Sequence, residues 1–115
     1  MELNAWKSQL RKGAAELAVL ATLDRGETYG LDLLEQIRAA GGLELSEGSI
    51  YPLLNRLQKE GKIRGRWIED PEATHPRKYY GLTDAGRALL GEMLAEWAQF
   101  ETGMRQILGE EVARE

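Results

Sequence analysis

SEGSIYPLLNRLQKEGKI, residues 46–63, followed by RGRWIEDPEATHPRKYYGLT, residues 64–83, is the stretch that decides how this chain folds. Ser46 is placed to cap a helix, because its hydroxyl can take an orphan backbone N–H of the first turn. Ile50, Leu53, Leu54 and Leu57 then recur as one apolar stripe. Gly48, Pro52, Asn55 and Lys59 point the opposite way, with Tyr51 and Arg56 at the flanks. Pro52 is compatible with two starts, one at the Ser46 cap with a lost bond to Gly48, the other at Ser49 with proline in the first turn. Gly61 closes the helix. Ile63 to Ile68 alternates as a strand, and Arg77 to Leu82 is its partner, with Tyr79 and Tyr80 on opposite faces. The tip between them, EDPEATHP, offers no core-forming side chain. Tyr79, Tyr80 and Trp67 are expected to pack between ribbon and helices. A helix delivered beside a two-stranded ribbon is the layout of a winged helix-turn-helix. In that layout the helix enters a DNA major groove and the ribbon lies on the neighbouring backbone.

Upstream, Asn4 can cap a short first helix, residues 4–11, carrying Trp6 and Leu10. AAELAVLATL, residues 14–23, is apolar on nearly all sides and predicts a central helix. The next helix runs from about Tyr29 to Ala40, with Gly30, Leu33, Leu34 and Ile37 on one face. Gly41-Gly42 ends it in a left-handed turn, and Leu43-Glu44-Leu45 is an extended link. Downstream, Thr83 caps a long last helix with Asp84 in its first turn. Leu90, Met93, Trp97, Phe100, Met104 and Ile107 recur at spacings of 3 and 4 along it. That is a heptad seam, which needs a partner surface, and a second copy of the chain is the simplest one. The fold class is therefore mainly α with a small β ribbon. Residues 1–82 form a winged helix-turn-helix and residues 83–110 a dimerisation helix. Gly91 and Gly103 interrupt that helix, allowing either close helix approach or bending.

Composition narrows the function. The 115 residues contain no cysteine, so disulfides and thiolate chemistry are excluded. No run of apolar residues is long enough for a membrane span, and no signal peptide opens the chain, which points to the cytoplasm. Net charge is −4, yet residues 46–80 carry 7 basic and 5 acidic side chains, the only positive third. Local positive charge is what a DNA reader needs. One histidine, His75 in the ribbon tip, makes no metal site, and no base, nucleophile or phosphate-cradling loop is assembled. An enzyme is not expected, and no cofactor is called for.

The candidate DNA contacts follow. Asn55 and Arg56 suit base edges, since Asn pairs with adenine and Arg with guanine. Lys59 suits phosphate, and Ser49 and Tyr51 are hydroxyl donors near the helix start. Arg77 and Lys78, opening the second ribbon strand, are read as backbone contacts; the competing reading for them, and for Arg64 and Arg66 on the first strand, is cross-strand pairing with Glu69, Asp70 or Glu72. For Asn55, Arg56 and Lys59 the competing reading is solvated surface. A winged helix that binds protein rather than DNA is the alternative function, distinguished by insensitivity to salt.

Four segments, KGAAELAVLATL, ETYGLDLLEQI, LELSEGSIYPLLNRLQKEGKI and RKYYGLTDAGRALL, together resemble the PadR-type transcriptional regulators over about residues 12–90. The resemblance implies a dimeric winged-helix repressor binding a pseudopalindromic operator in double-stranded DNA. The single C-terminal helix is similar to the short subgroup, which includes multidrug-responsive members. There a tryptophan on the last helix can line a pore at the dimer interface and stack on a planar aromatic effector. Trp97 holds the matching position, with Met93 and Leu94 beside it. Glu101 would face a cationic ligand. Trp6 either braces the partner's last helix or adds to the pore wall.

Overall fold

The computed structural model describes residues 2–109. Its elements are α1 (Glu2–Leu23), β1 (Thr28–Tyr29), α2 (Gly30–Ala39), α3 (Glu47–Lys59), β2 (Ile63–Ile68), β3 (Arg77–Leu82) and α4 (Asp84–Leu108). The expected short helix at 4–11 and the helix at 14–23 are one rod, and Asn4 lies inside it rather than capping it. Gly13 does not break the rod. A lone glycine costs only about 1 kcal/mol in a helix, and the ion pair of Arg11 with Glu44, at 2.8 Å, pins the rod at its middle.

The core is built where apolar stripes converge. Ala15, Val19, Leu20 and Leu23 of α1 meet Leu33, Leu34 and Ile37 of α2, then Ile50, Leu54 and Leu57 of α3. Ile63, Tyr80 and Leu82 close it from the sheet and Leu90 from α4. Gly30 opens α2 under two rings, because a Cβ there would sit 3.3 Å from both Tyr51 and Tyr80. Gly41 and Gly42 adopt φ of 82° and 83°, the left-handed turn that ends α2.

Ser46 caps α3 as expected, its hydroxyl accepting from the Ser49 amide at 3.2 Å. The helix takes the earlier of the two starts, at Glu47, so Pro52 lies inside it. Its ring leaves the Gly48 carbonyl without a helical donor, on a face open to water.

The sheet has three strands in the order β1-β3-β2, all antiparallel. β1 is a two-residue strand with no signal in the sequence, because two residues carry no readable alternation. The β2–β3 register places Ile63, Gly65 and Trp67 opposite Leu82, Tyr80 and Lys78. Trp67 is a correction: it does not pack between wing and helices but stands 66% exposed near the wing tip, where the ribbon has outrun the helices.

Thr83 caps α4, accepting from the Gly86 amide at 3.0 Å and donating to the Gly61 carbonyl at 2.6 Å. Gly86 is required here. A Cβ on it would lie 1.9 Å from the Lys62 carbonyl oxygen, so only glycine lets the first turn of α4 lie on the entry to β2. Residue 110, where the dimerisation segment was expected to end, lies outside the described residues. No helix among the described residues is long and apolar enough to cross a membrane.

Candidate nucleic-acid interface

Gly48, Ser49, Pro52, Asn55 and Lys59 form the outer face of α3, all exposed. The apolar stripe directly behind them fixes this orientation, since Ile50, Leu54 and Leu57 are wholly buried. The first turns present small residues, which leaves the backbone itself approachable. Ser49 keeps a hydroxyl contact with Ser46 at 3.2 Å. Tyr51 turns inward instead. Its ring lies against Gly30, and burial raises its hydroxyl pKa.

Arg56 is held by carboxylates. Its guanidinium donates to Glu16 of α1 at 2.9 Å and to both oxygens of Glu60 at 3.1 and 3.2 Å. Half of the side chain remains exposed. Glu60 was findable in the sequence as an i,i+4 partner; Glu16, forty residues away, was not.

The wing adds two cations, on opposite faces of β3. Arg77 lies over the Tyr29 ring, 4.9 Å from its centroid, and Tyr29 in turn leans on Tyr79 at 5.8 Å. The Lys78 ammonium sits over Trp67 at 5.6 Å and over Tyr80 at 5.4 Å. Rings beneath cations fix their position while leaving them charged. Arg64 and Arg66 do not take the acidic partners expected at the tip. Arg64 donates to the Leu82 carbonyl at 3.0 Å, and Arg66 makes a two-pronged pair with Glu27 at 2.7 and 2.9 Å. The tip folds on itself, with Asp70 accepting from the Glu72 amide at 3.0 Å. His75 is exposed there, and no group of acidic, histidine or cysteine side chains able to hold a metal occurs among the described residues.

A second feature lies on the other side of the molecule. The apolar positions of α4 divide sharply. Leu90 is buried and Met93 half-buried, whereas Phe100 is 54% and Ile107 80% exposed. α1 and α4 leave an apolar groove of about 590 Å³ between them. Leu10 and Leu17 form one wall, Met93, Trp97 and Phe100 the other. Of the expected ligand residues, Met93 and Trp97 line this groove. Leu94, Glu101 and Trp6 do not; Glu101 pairs instead with Arg105 at 3.6 Å. Glu92 and Glu96, not foreseen, supply the acidic rim. Leu3, Trp6 and Leu10 extend the apolar stripe along α1 and are each at least half exposed. Their 3 and 4 spacing was visible in the sequence but lost when the rod was divided in two.

Residues 19–92 match the family model described as the transcriptional regulator PadR-like family. Transcriptional regulator Rv3488 of Mycobacterium tuberculosis is 29% identical over 102 residues, covering 88% of this chain and 89% of its own. A PadR-like transcriptional regulator of Bacillus cereus superposes with a TM-score of 0.78 at 37% identity, over 87% of this chain and 96% of that one. PadR of Bacillus subtilis, solved with operator DNA, superposes at 0.62 with 31% identity, over 70% of this chain and 45% of that one.

Proposed function

Because the chain belongs to the PadR-like family of transcriptional regulators, which are not enzymes, we propose that it acts as a homodimeric repressor on a pseudopalindromic operator. The observation that carries the DNA reading is the exposed outer face of α3 with Asn55 and Lys59, next in the chain to a wing whose Arg77 and Lys78, on opposite faces of β3, are each seated on aromatic rings. Asn55 reads base edges, and Lys59, Ser49, Arg77 and Lys78 hold the backbone. Tyr51, turned inward against Gly30, contributes its hydroxyl only by swinging out of the core edge. Arg56 reaches a base only by exchanging a carboxylate for it, so its share is the smallest of the base contacts.

The second copy covers the outer half of α4. Leu90 and Met93 begin the seam, and Trp97, Phe100, Met104 and Ile107 continue it into open solvent. Residues 1–82 then serve as the DNA-binding domain and 83–110 as the dimerisation helix. The dimer sets the separation of two α3 helices, so operator half-sites lie about 34–36 Å apart or a multiple of that. A planar hydrophobic effector stacks on Trp97 beside Met93, with Leu94, Glu101 and Trp6 brought in only by rearrangement or by the partner subunit. Glu92 and Glu96 favour a cation. Such a ligand relieves repression only by binding better to a dimer whose helices are wrongly spaced for the operator.

Fluorescence anisotropy with the promoter DNA preceding the chain's own gene, against a scrambled duplex at two salt concentrations, tests this. Tight, salt-sensitive preference for the promoter is the expected result. Binding that ignores both sequence and salt would favour a protein-binding winged helix instead. For the effector, quenching of tryptophan emission by a planar dye should diminish in Trp97→Ala.

A further inference from the structure

We infer that Glu27 and Arg66 form a clamp that sets the angle of the wing against the helix-turn-helix, so that both are positioning residues for DNA binding and neither is a DNA contact. The inference rests on the DNA reading above. Glu27 immediately precedes β1 and Arg66 lies on β2. These are the two edge strands of the sheet, with β3 between them. The pair therefore spans the central strand. Arg66 donates from Nε to one carboxylate oxygen and from Nη2 to the other, at 2.9 and 2.7 Å. Two parallel bonds between planar groups fix an orientation as well as a distance.

The sheet is shaped to admit the bridge. Arg64 stands opposite Gly81 and Arg66 opposite Tyr79, so these four share one face. A Cβ at Gly81 would lie 3.6 Å from Cγ and Oε2 of Glu27 and 3.6 Å from the Arg64 guanidinium. A side chain larger than alanine at 81 would occupy the place where Glu27 crosses. The Arg66 hydrogen bonds, and then the charges of Arg66 and Arg64, hold the Glu27 carboxyl below the usual glutamate range.

What the clamp positions is Arg77. Tyr29 lies two residues after Glu27, pairs with Tyr79 across β1–β3, and carries the Arg77 guanidinium over its ring. α2 starts at the next residue, Gly30. β1 has only two residues of pairing to hold it to the wing. Fixing Glu27 to the far strand supplies the third point of attachment. An exposed ion pair contributes little to global stability, so the effect of losing it falls on wing geometry. The competing idea, that Arg66 is a phosphate contact, has to break two bonds to a carboxylate first.

Charge reversal separates the two. Arg66→Glu and Glu27→Arg each place like charges together, and the double variant restores the pair with the wild-type net charge. Positioning predicts that both single variants lose about tenfold in operator affinity, although Glu27→Arg adds a positive charge, and that the double variant recovers to within about threefold. A double variant as weak as Arg66→Glu alone, or a Glu27→Arg variant as tight as the wild type, overturns the clamp. Hydrogen exchange of the Thr28 and Tyr29 amides in the free protein is read in parallel. About tenfold faster exchange in Arg66→Glu, reversed in the double variant, is expected; unchanged exchange contradicts the clamp even if no operator is ever found. Arg66→Gln serves if the reversal does not fold. Failure of the wild type to prefer its promoter would strike the DNA reading alone.

Discussion

The two halves of α4 carry the same apolar rhythm and meet different fates. Leu90 and Met93, in the first half, lie against α1 and the core. Phe100 and Ile107, at the same 3 and 4 spacing, face water. Periodicity therefore identifies a face in need of cover and is silent on what covers it. Fold-back onto the chain's own domain accounts for the first half. It stops past Met93, where the α4 side chains become exposed, and from there a second copy is proposed.

Leu90→Ala should be the most damaging change to the covered half, at about 2–5 kcal/mol by chemical denaturation, because it opens a cavity in a closed core. Gly86→Ala follows at about 1–3 kcal/mol, since its methyl meets the Lys62 carbonyl and the first turn of α4 must lift from β2. On the uncovered half, Phe100→Glu should leave the domain folded but reduce the particle to 12.9 kDa in sedimentation. An undissociated dimer would mean that another surface holds the copies together. Arg56→Ala should lower operator affinity by less than about 1 kcal/mol, below what a direct base contact contributes, because Glu16 and Glu60 hold its guanidinium; a loss of about 1–3 kcal/mol would show that it leaves them for a base.

The smallest effect is a dependence on pH. The Glu27 carboxyl, hydrogen-bonded by Arg66, titrates below the ordinary value of 4.5. A lowered carboxylate pKa contributes stability that is present above the unfolded value and lost as pH falls through the folded one. The melting-temperature gap between wild type and Glu27→Gln should therefore be constant near neutrality and shrink below about pH 4.5. A gap unchanged at acid pH would show that the ion pair adds nothing.

Much of the winged domain was legible because its signals are local. Ser46, Gly61 and Thr83 each act within a few residues, and the helix and ribbon between them appear where those residues put them. The long α4 was equally plain from its cap and its spacing. The site was less legible, for reasons of distance. Glu16 holds Arg56 across 40 positions and Glu27 holds Arg66 across 39, and no periodicity links residues so far apart. Reading Arg56 as a free base contact therefore overlooked its partners. Trp67 was expected inside because it is large and apolar. It stands outside because its register places it beyond the end of the helices, opposite Lys78. The groove was half visible: Met93 and Trp97, both singled out in the sequence, line its α4 wall, but dividing α1 hid the facing wall of Leu10 and Leu17.

The proposed dimer is tested by a titration of wild type and Phe100→Glu against promoter DNA carrying both half-sites and against a duplex carrying one. Wild type should prefer two half-sites strongly, while the variant should bind both duplexes equally, weakly and with undiminished sensitivity to salt. If the variant kept the wild-type preference, the exposed half of α4 would not be what spaces the recognition helices, and the proposed dimer would be wrong.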